Sequence, residues 1–216
     1  MNAYSFYMAL WFCIETSHRP HHIPFGDVNL IDPMHGLIKL KDKSDPEGGK
    51  FRLAWLSKPL RIQMNDYAQA VSSVTSWAAQ QDIEIEDGPL IYLHTTKLSS
   101  KHFSINSFDS RIFAFKIQDE IKIEANFYRK LMSSLLREGE TPVSTEDVER
   151  WLGHWTVGTA PYHLFSSVSI LSLIERMQGK VCAVVKKLGL IPIKFALPGP
   201  LRSIEEVLGK HASNNS

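Results

Sequence analysis

The chain is short of the groups that announce many common chemistries. It has two cysteines in 216 residues, Cys13 and Cys182, and both lie in apolar runs. So few thiols exclude a disulfide framework and predict two reduced core cysteines of an intracellular protein. Charge of one sign is scarce too, with a formal net charge of +1. The overall field is therefore weak, and any nucleic-acid binding must come from local clustering. There is no glycine-rich phosphate cradle, no Gly-x-Ser-x-Gly and no pair of carboxylates at a useful spacing, so the sequence predicts no nucleotide and no other cofactor. His18, His21 and His22 stand close together, but their spacing around Pro20 matches no zinc signature and no Cys or acid adjoins them. That pattern predicts no metal ion. The apolar run "FYMALWFCI" is too short to span a bilayer and lacks the basic flank and small-residue cleavage site of a leader. It reads as a buried helix, and no membrane is expected.

What remains is an ordinary globular composition, 44% hydrophobic and 22% charged, without internal repeats or a low-complexity seam. Residues 3 to about 16 are apolar nearly all round, as a core helix is, and Pro20 is expected to end it just after Arg19. "GLIKLKDK" and "KFRLAWL" alternate like strands on either side of the turn cluster "SDPEGG", which predicts a hairpin. Residues 60–81 show helical spacing of Ile62, Tyr67, Val71, Val74 and Trp77/Ala78. "GPLIYLHTT" reads as a strand or a buried turn, and 97–122 fits no single pattern. "ANFYRKLMSSLLREGE" is a helix with Leu131, Leu135 and Leu136 on one face, and Tyr128 is expected in the core. "STEDVERWLGH" opens with a capping signal, at Ser144 or Thr145, and acids in its first turn. A long helix over 168–188 is closed by "LGL". The fold class expected is α+β, mostly helical, with a small antiparallel sheet in the N-terminal third. A domain over 1–190 would carry a tail, 191–216, with one short helix.

Five polar positions then invite joint reading. Arg19 ends the buried helix, Lys43 stands where the first hairpin strand meets its turn, and Arg129 lies on a helix three residues after Asn126. His154 ends the next helix and Tyr162 follows eight residues later. In that order the chain resembles the tyrosine recombinases of the phage-integrase type. "SHRPHHIPFGDVNLID" looks like their first-arginine motif, and "LIKLKDKSDPEGGKFRLAWLS" looks like their β-hairpin lysine. "ANFYRKLMSSLL" stands where the family has His-x-x-Arg, and "WLGHWTVGTAPY" where it has Leu-Gly-His and then the tyrosine. The resemblance spans residues 10–165 and rests on order and interval more than on any one motif.

The resemblance implies breakage and rejoining of DNA strands through a 3′-phosphotyrosine, in recombination or integration of a mobile element. Arg19 and Arg129 would neutralise the non-bridging oxygens, because a guanidinium fork matches them bidentately. Tyr162 would attack the phosphorus, Lys43 would protonate the leaving 5′-oxygen, and His154 would bond the phosphate or handle the nucleophile's proton. Asn126 could donate a hydrogen bond but not act as acid or base. Double-stranded DNA is the implied partner, with a homo-oligomer or a full-length recombinase beside it, in the cytoplasm at the nucleoid. Residues 168–188 and the tail could pack in trans.

The chain also departs from the family. Asn126 replaces a histidine, Lys130 stands where a second is common, Pro161 replaces a polar residue, and the His-to-Tyr interval is one shorter. The family's N-terminal clamp is expected to be absent. Lys41 and Lys50 compete with Lys43 for the hairpin role. Each basic residue also has a plain alternative, Arg19 and Arg129 as surface cations and His154 as a helix cap. Two other functions thus stay open, a DNA-binding or assembly module that has lost cleavage, and an interaction protein that never meets DNA.

Overall fold

The computed structural model describes residues 1–18, 31–32, 36–41, 51–86, 91–95, 103–107, 122, 124, 127–138, 142–152 and 167–195. The first helix, α1 (Asn2–Thr16), lies in the core. Met8, Trp11 and Phe12 are fully buried along it, and it packs against two further helices and a strand described below. An amphipathic stripe would not suffice there, which is why the run is apolar nearly all round. The helix stops at Thr16, before Pro20, because Ser17 turns into the left-handed region at φ 54°.

Three strands follow, β1 (Ile31–Asp32), β2 (Leu37–Lys41) and β3 (Phe51–Trp55), paired antiparallel in chain order. The hairpin register sets Ile38 opposite Ala54 and Lys41 opposite Phe51. Ile38 and Leu40 point to the core while Lys39 is exposed, the alternation expected of a half-buried strand. Gly36 opens β2 at φ +68°, and a Cβ there would stand 2.8 Å from the Leu56 carbonyl, so only glycine fits. Helix α2 (Lys58–Gln80) starts at Ser57, whose Oγ accepts from the Leu60 N–H at 3.3 Å. Its buried stripe is Leu60, Gln63, Tyr67, Ala70, Val74 and Ala78. Ile62, expected inside, is 43% exposed, because the stripe begins two residues earlier and carries the polar Gln63 inward.

The expectation of one sheet in the N-terminal third is corrected by a second one. Strands β4 (Glu84–Ile85), β5 (Ile91–Thr95) and β6 (Phe103–Ser107) form it in the order β4-β6-β5. β5 and β6 are antiparallel, whereas β4 and β6 run parallel. A strand of two residues has no periodicity to read, and its parallel partner is remote in sequence, so context rather than pattern creates this sheet. The fold remains α+β and mostly helical.

Helix α3 (Phe127–Arg137) buries Tyr128, Arg129, Met132, Ser133 and Leu136. Of the three leucines expected inside, Leu136 is buried, while Leu131 and Leu135 are half-buried. The face is rotated because a charged and a hydroxyl side chain go inward. Helix α4 (Thr145–Trp151) is capped by Ser144, which accepts from Asp147 N–H at 3.1 Å. Helix α5 (Ser167–Lys187) ends where Gly189 takes φ +68°. Arg176 of α5 grips Asp147 of α4 through two bonds of 2.8 Å, and those bonds hold the carboxyl below its usual range. Cys13 is buried as expected, but Cys182 is exposed on α5. No helix among the described residues is long and apolar enough to cross a membrane.

The start of the tail is docked within its own chain. The Tyr4 hydroxyl donates to the Ile193 carbonyl at 2.8 Å, and Tyr7 donates to the Ile191 carbonyl at 2.7 Å. Ile193 N–H in turn donates to Gln63 Oε1 at 2.6 Å, and Phe195 stacks on Tyr4. Residues 191–195 thus lie along α1 and α2.

Candidate functional site

Arg129 is the one predicted site residue among those described, and its environment is informative. It sits in the first turn of α3 and is 8% exposed. Its Nη1 donates to the Ser17 carbonyl at 2.6 Å and its Nη2 to the Leu152 carbonyl at 2.7 Å. Ser17 lies two residues before Arg19, and Leu152 lies two before His154. One guanidinium therefore gathers the ends of α1 and α4, which in the sequence precede Arg19 and His154. These two bonds orient the guanidinium.

A second clasp reinforces the first. The Trp151 indole N–H donates to the Glu15 carbonyl at 3.0 Å, joining the last turns of α4 and α1. The Glu15 carboxylate reaches the other way. Its Oε1 accepts from Ser57 N–H at 2.5 Å, and its Oε2 accepts from Ser57 Oγ and Trp11 Nε1, each at 3.0 Å. Burial pushes this carboxyl up to about 7, against the pull of those donors and of Arg61. Thr16 closes the helix by donating to the Phe12 carbonyl at 2.6 Å. The left-handed turn at Ser17 is thus fixed from three sides, by α2, α3 and α4.

Arg19, Lys43, Asn126, His154 and Tyr162 lie outside the described residues. Lys43 follows two residues after Lys41, the last of β2, and Asn126 immediately precedes α3. Tyr128 is 1% exposed, which matches its expected place in the core and denies it access to a large substrate. Glu15, Ser57 and Trp151 were not candidates from sequence. The signal was present in "FCIETSH", where a single acid interrupts an apolar helix, and such an acid needs donors of its own.

Both Arg129 bonds end on buried main-chain carbonyls, so an anion at this guanidinium would have to displace them. Among the described residues no group of three or more His, Cys, Asp or Glu could hold a metal ion. In comparisons with known proteins, no family model, no curated protein and no solved structure matches the chain.

Proposed function

We propose that this chain breaks and rejoins DNA strands through a phosphotyrosine, in the manner of the tyrosine recombinases it resembles. The observation that supports it best is the Arg129 clasp. A simple surface cation would have no reason to be buried between the carbonyls that precede Arg19 and His154. In the proposed reaction Arg19 and Arg129 bind the non-bridging oxygens as charge builds on them. The Tyr162 oxygen attacks phosphorus in line, and the 5′-oxygen leaves with a proton from Lys43. Asn126 donates a hydrogen bond, and His154 either bonds the phosphate or takes the tyrosine's proton. Rejoining reverses these steps, since the phosphotyrosine conserves the bond. The runner-up is a DNA-binding or assembly module of the same fold, and one feature favours it: two Arg129 nitrogens are already spent on main-chain carbonyls, as in a structural arginine.

Covalent capture separates the two. Nicked duplexes of randomised sequence, which trap a phosphotyrosine, are incubated with the native chain and with Tyr162→Phe. The native protein should become covalently attached to DNA and the phenylalanine variant should not, because one hydroxyl is lost with little change in packing. Capture by both proteins would place the nucleophile elsewhere. Binding by both without capture would favour the non-cleaving module.

A further inference from the structure

The strap formed by residues 191–195 is held by its main chain. The Ile191 carbonyl accepts from the Tyr7 hydroxyl at 2.7 Å, and the Ile191 N–H donates to the same oxygen at 3.1 Å. Two residues on, the Ile193 N–H donates to Gln63 Oε1 at 2.6 Å and its carbonyl accepts from the Tyr4 hydroxyl at 2.8 Å. Gln63 Nε2 donates to that hydroxyl at 2.7 Å, which fixes the two reading side chains against each other. Pro192, between the two isoleucines, has no N–H to satisfy. We propose that this face of α1 and α2 is a reversible peptide seat, which accepts from another protein an extended segment of the pattern aliphatic-Pro-aliphatic-x-aromatic. The chain's own strap occupies the seat until it is displaced. The proposal does not depend on the DNA reading.

The strap is a poor clamp and a good likeness of a ligand. Ile191 is 63% exposed and Ile193 44%, so their apolar surface adds little to holding it. The Tyr7 bonds lie at exposed positions, where water competes for them. Phe195 supplies the side-chain purchase, stacked on Tyr4 with ring centroids 5.5 Å apart. The seat, by contrast, is built in advance, with Gln63 and Tyr4 buried on two packed helices. Paired donors and acceptors at alternate residues fit any extended chain, the proline frees the middle residue from needing a partner, and the aromatic ring sets the register. The strap can lift at Gly189, which has φ +68° and open space where a Cβ would stand, so no packed side chain need move. A second copy's strap is a poor occupant. Only residues 188–190 join α5 to the strap, a reach of at most about 11 Å, and their three N–H groups are bonded back to α5.

The probe is a fluorescent peptide with the strap's own sequence, Leu-Ile-Pro-Ile-Lys-Phe-Ala, added to the full chain and followed by anisotropy. The native protein should bind it weakly, because the strap closes the seat most of the time. Phe195→Ala loosens the strap and should bind the peptide about tenfold more tightly. A peptide N-methylated at its second isoleucine lacks the N–H that Gln63 accepts, and should bind at least about tenfold more weakly to either protein. Hydrogen exchange of the native chain keeps the test valid if the alanine variant does not fold. There the Ile193 N–H should exchange at least about tenfold faster than N–H groups in the middle of α1. Absence of binding, equal affinity of the two proteins, or equal binding of the N-methylated peptide overturns the proposal. Exchange of Ile193 at the rate of the α1 core overturns it too, because the strap would then open only when the whole chain unfolds. A native chain that sediments as a dimer, made monomeric by Phe195→Ala, would assign the seat to a second copy and likewise overturn it.

Discussion

At the scale of residues, the weight falls on two ionisable side chains that the core admits at a cost. Arg129 and Glu15 are charged groups buried at 8% and 0% exposure, and each is tolerated because donors or acceptors meet it from other elements. Glu15 also sets a pH dependence of stability. Its folded-state value is raised, to about 7, above the 4.5 of an ordinary glutamate. The folded chain therefore holds a proton that the unfolded chain gives up between those limits, and stability falls as pH rises across them. Asp147 acts in the opposite sense, because Arg176 lowers it and its contribution disappears in acid. Subtracting the melting curves of Glu15→Gln from those of the native chain isolates the first effect. The native protein should lose ground to the variant as pH rises from about 4.5 to about 7, at most about 1.4 kcal/mol per unit. A flat difference would mean that Glu15 stays ionised throughout.

At the scale of elements, the end of α1 shows what local pattern can and cannot convey. Ser17 adopts φ 54°, a conformation costing a non-glycine residue about 1 kcal/mol, and its buried Oγ meets no hydrogen-bond partner among the described residues. Ser17→Gly should relieve both, raising stability by about 1 kcal/mol and the melting temperature by roughly 2–4 °C. A drop instead would show that the hydroxyl is engaged. Helix α1, the β2–β3 hairpin, α2 and α5 were legible in sequence because each carries its own periodicity over enough residues. The stop of α1 was not, since Pro20 is the helix-breaking signal in the sequence and a serine has no left-handed preference. The face of α3 was misjudged because Arg129 and Ser133 turn inward while Leu131 and Leu135 sit half outside. Strand β4 was invisible, being two residues that pair only with a remote partner. Of the site, sequence order named Arg129, but it could not show that this arginine gathers the chain at Ser17 and Leu152. That requires three elements to be packed first.

At the scale of the molecule, one helix joins much of the described core. Helix α1 meets α2, α3 and β5, takes the first residues of the tail along Tyr4 and Tyr7, and ends at the Arg129 clasp. A chain of net charge +1 has little long-range pull on DNA, so binding should be weak and carried by a few phosphates. Log affinity against log salt should then slope by roughly 2 to 4, at about 0.9 per phosphate contacted. A slope of zero would favour an interaction protein that never touches a DNA backbone. The central claim is that Arg129 organises one phosphate site from Arg19, Arg129 and His154. It is tested most directly by a crystal structure of the chain with a nicked duplex and orthovanadate, which takes the place of the phosphorus under attack. The vanadate should lie within hydrogen-bond reach of all three side chains, with Tyr162 in line. Guanidiniums of Arg19 and Arg129 on opposite faces, with vanadate bound by one or neither, would contradict it.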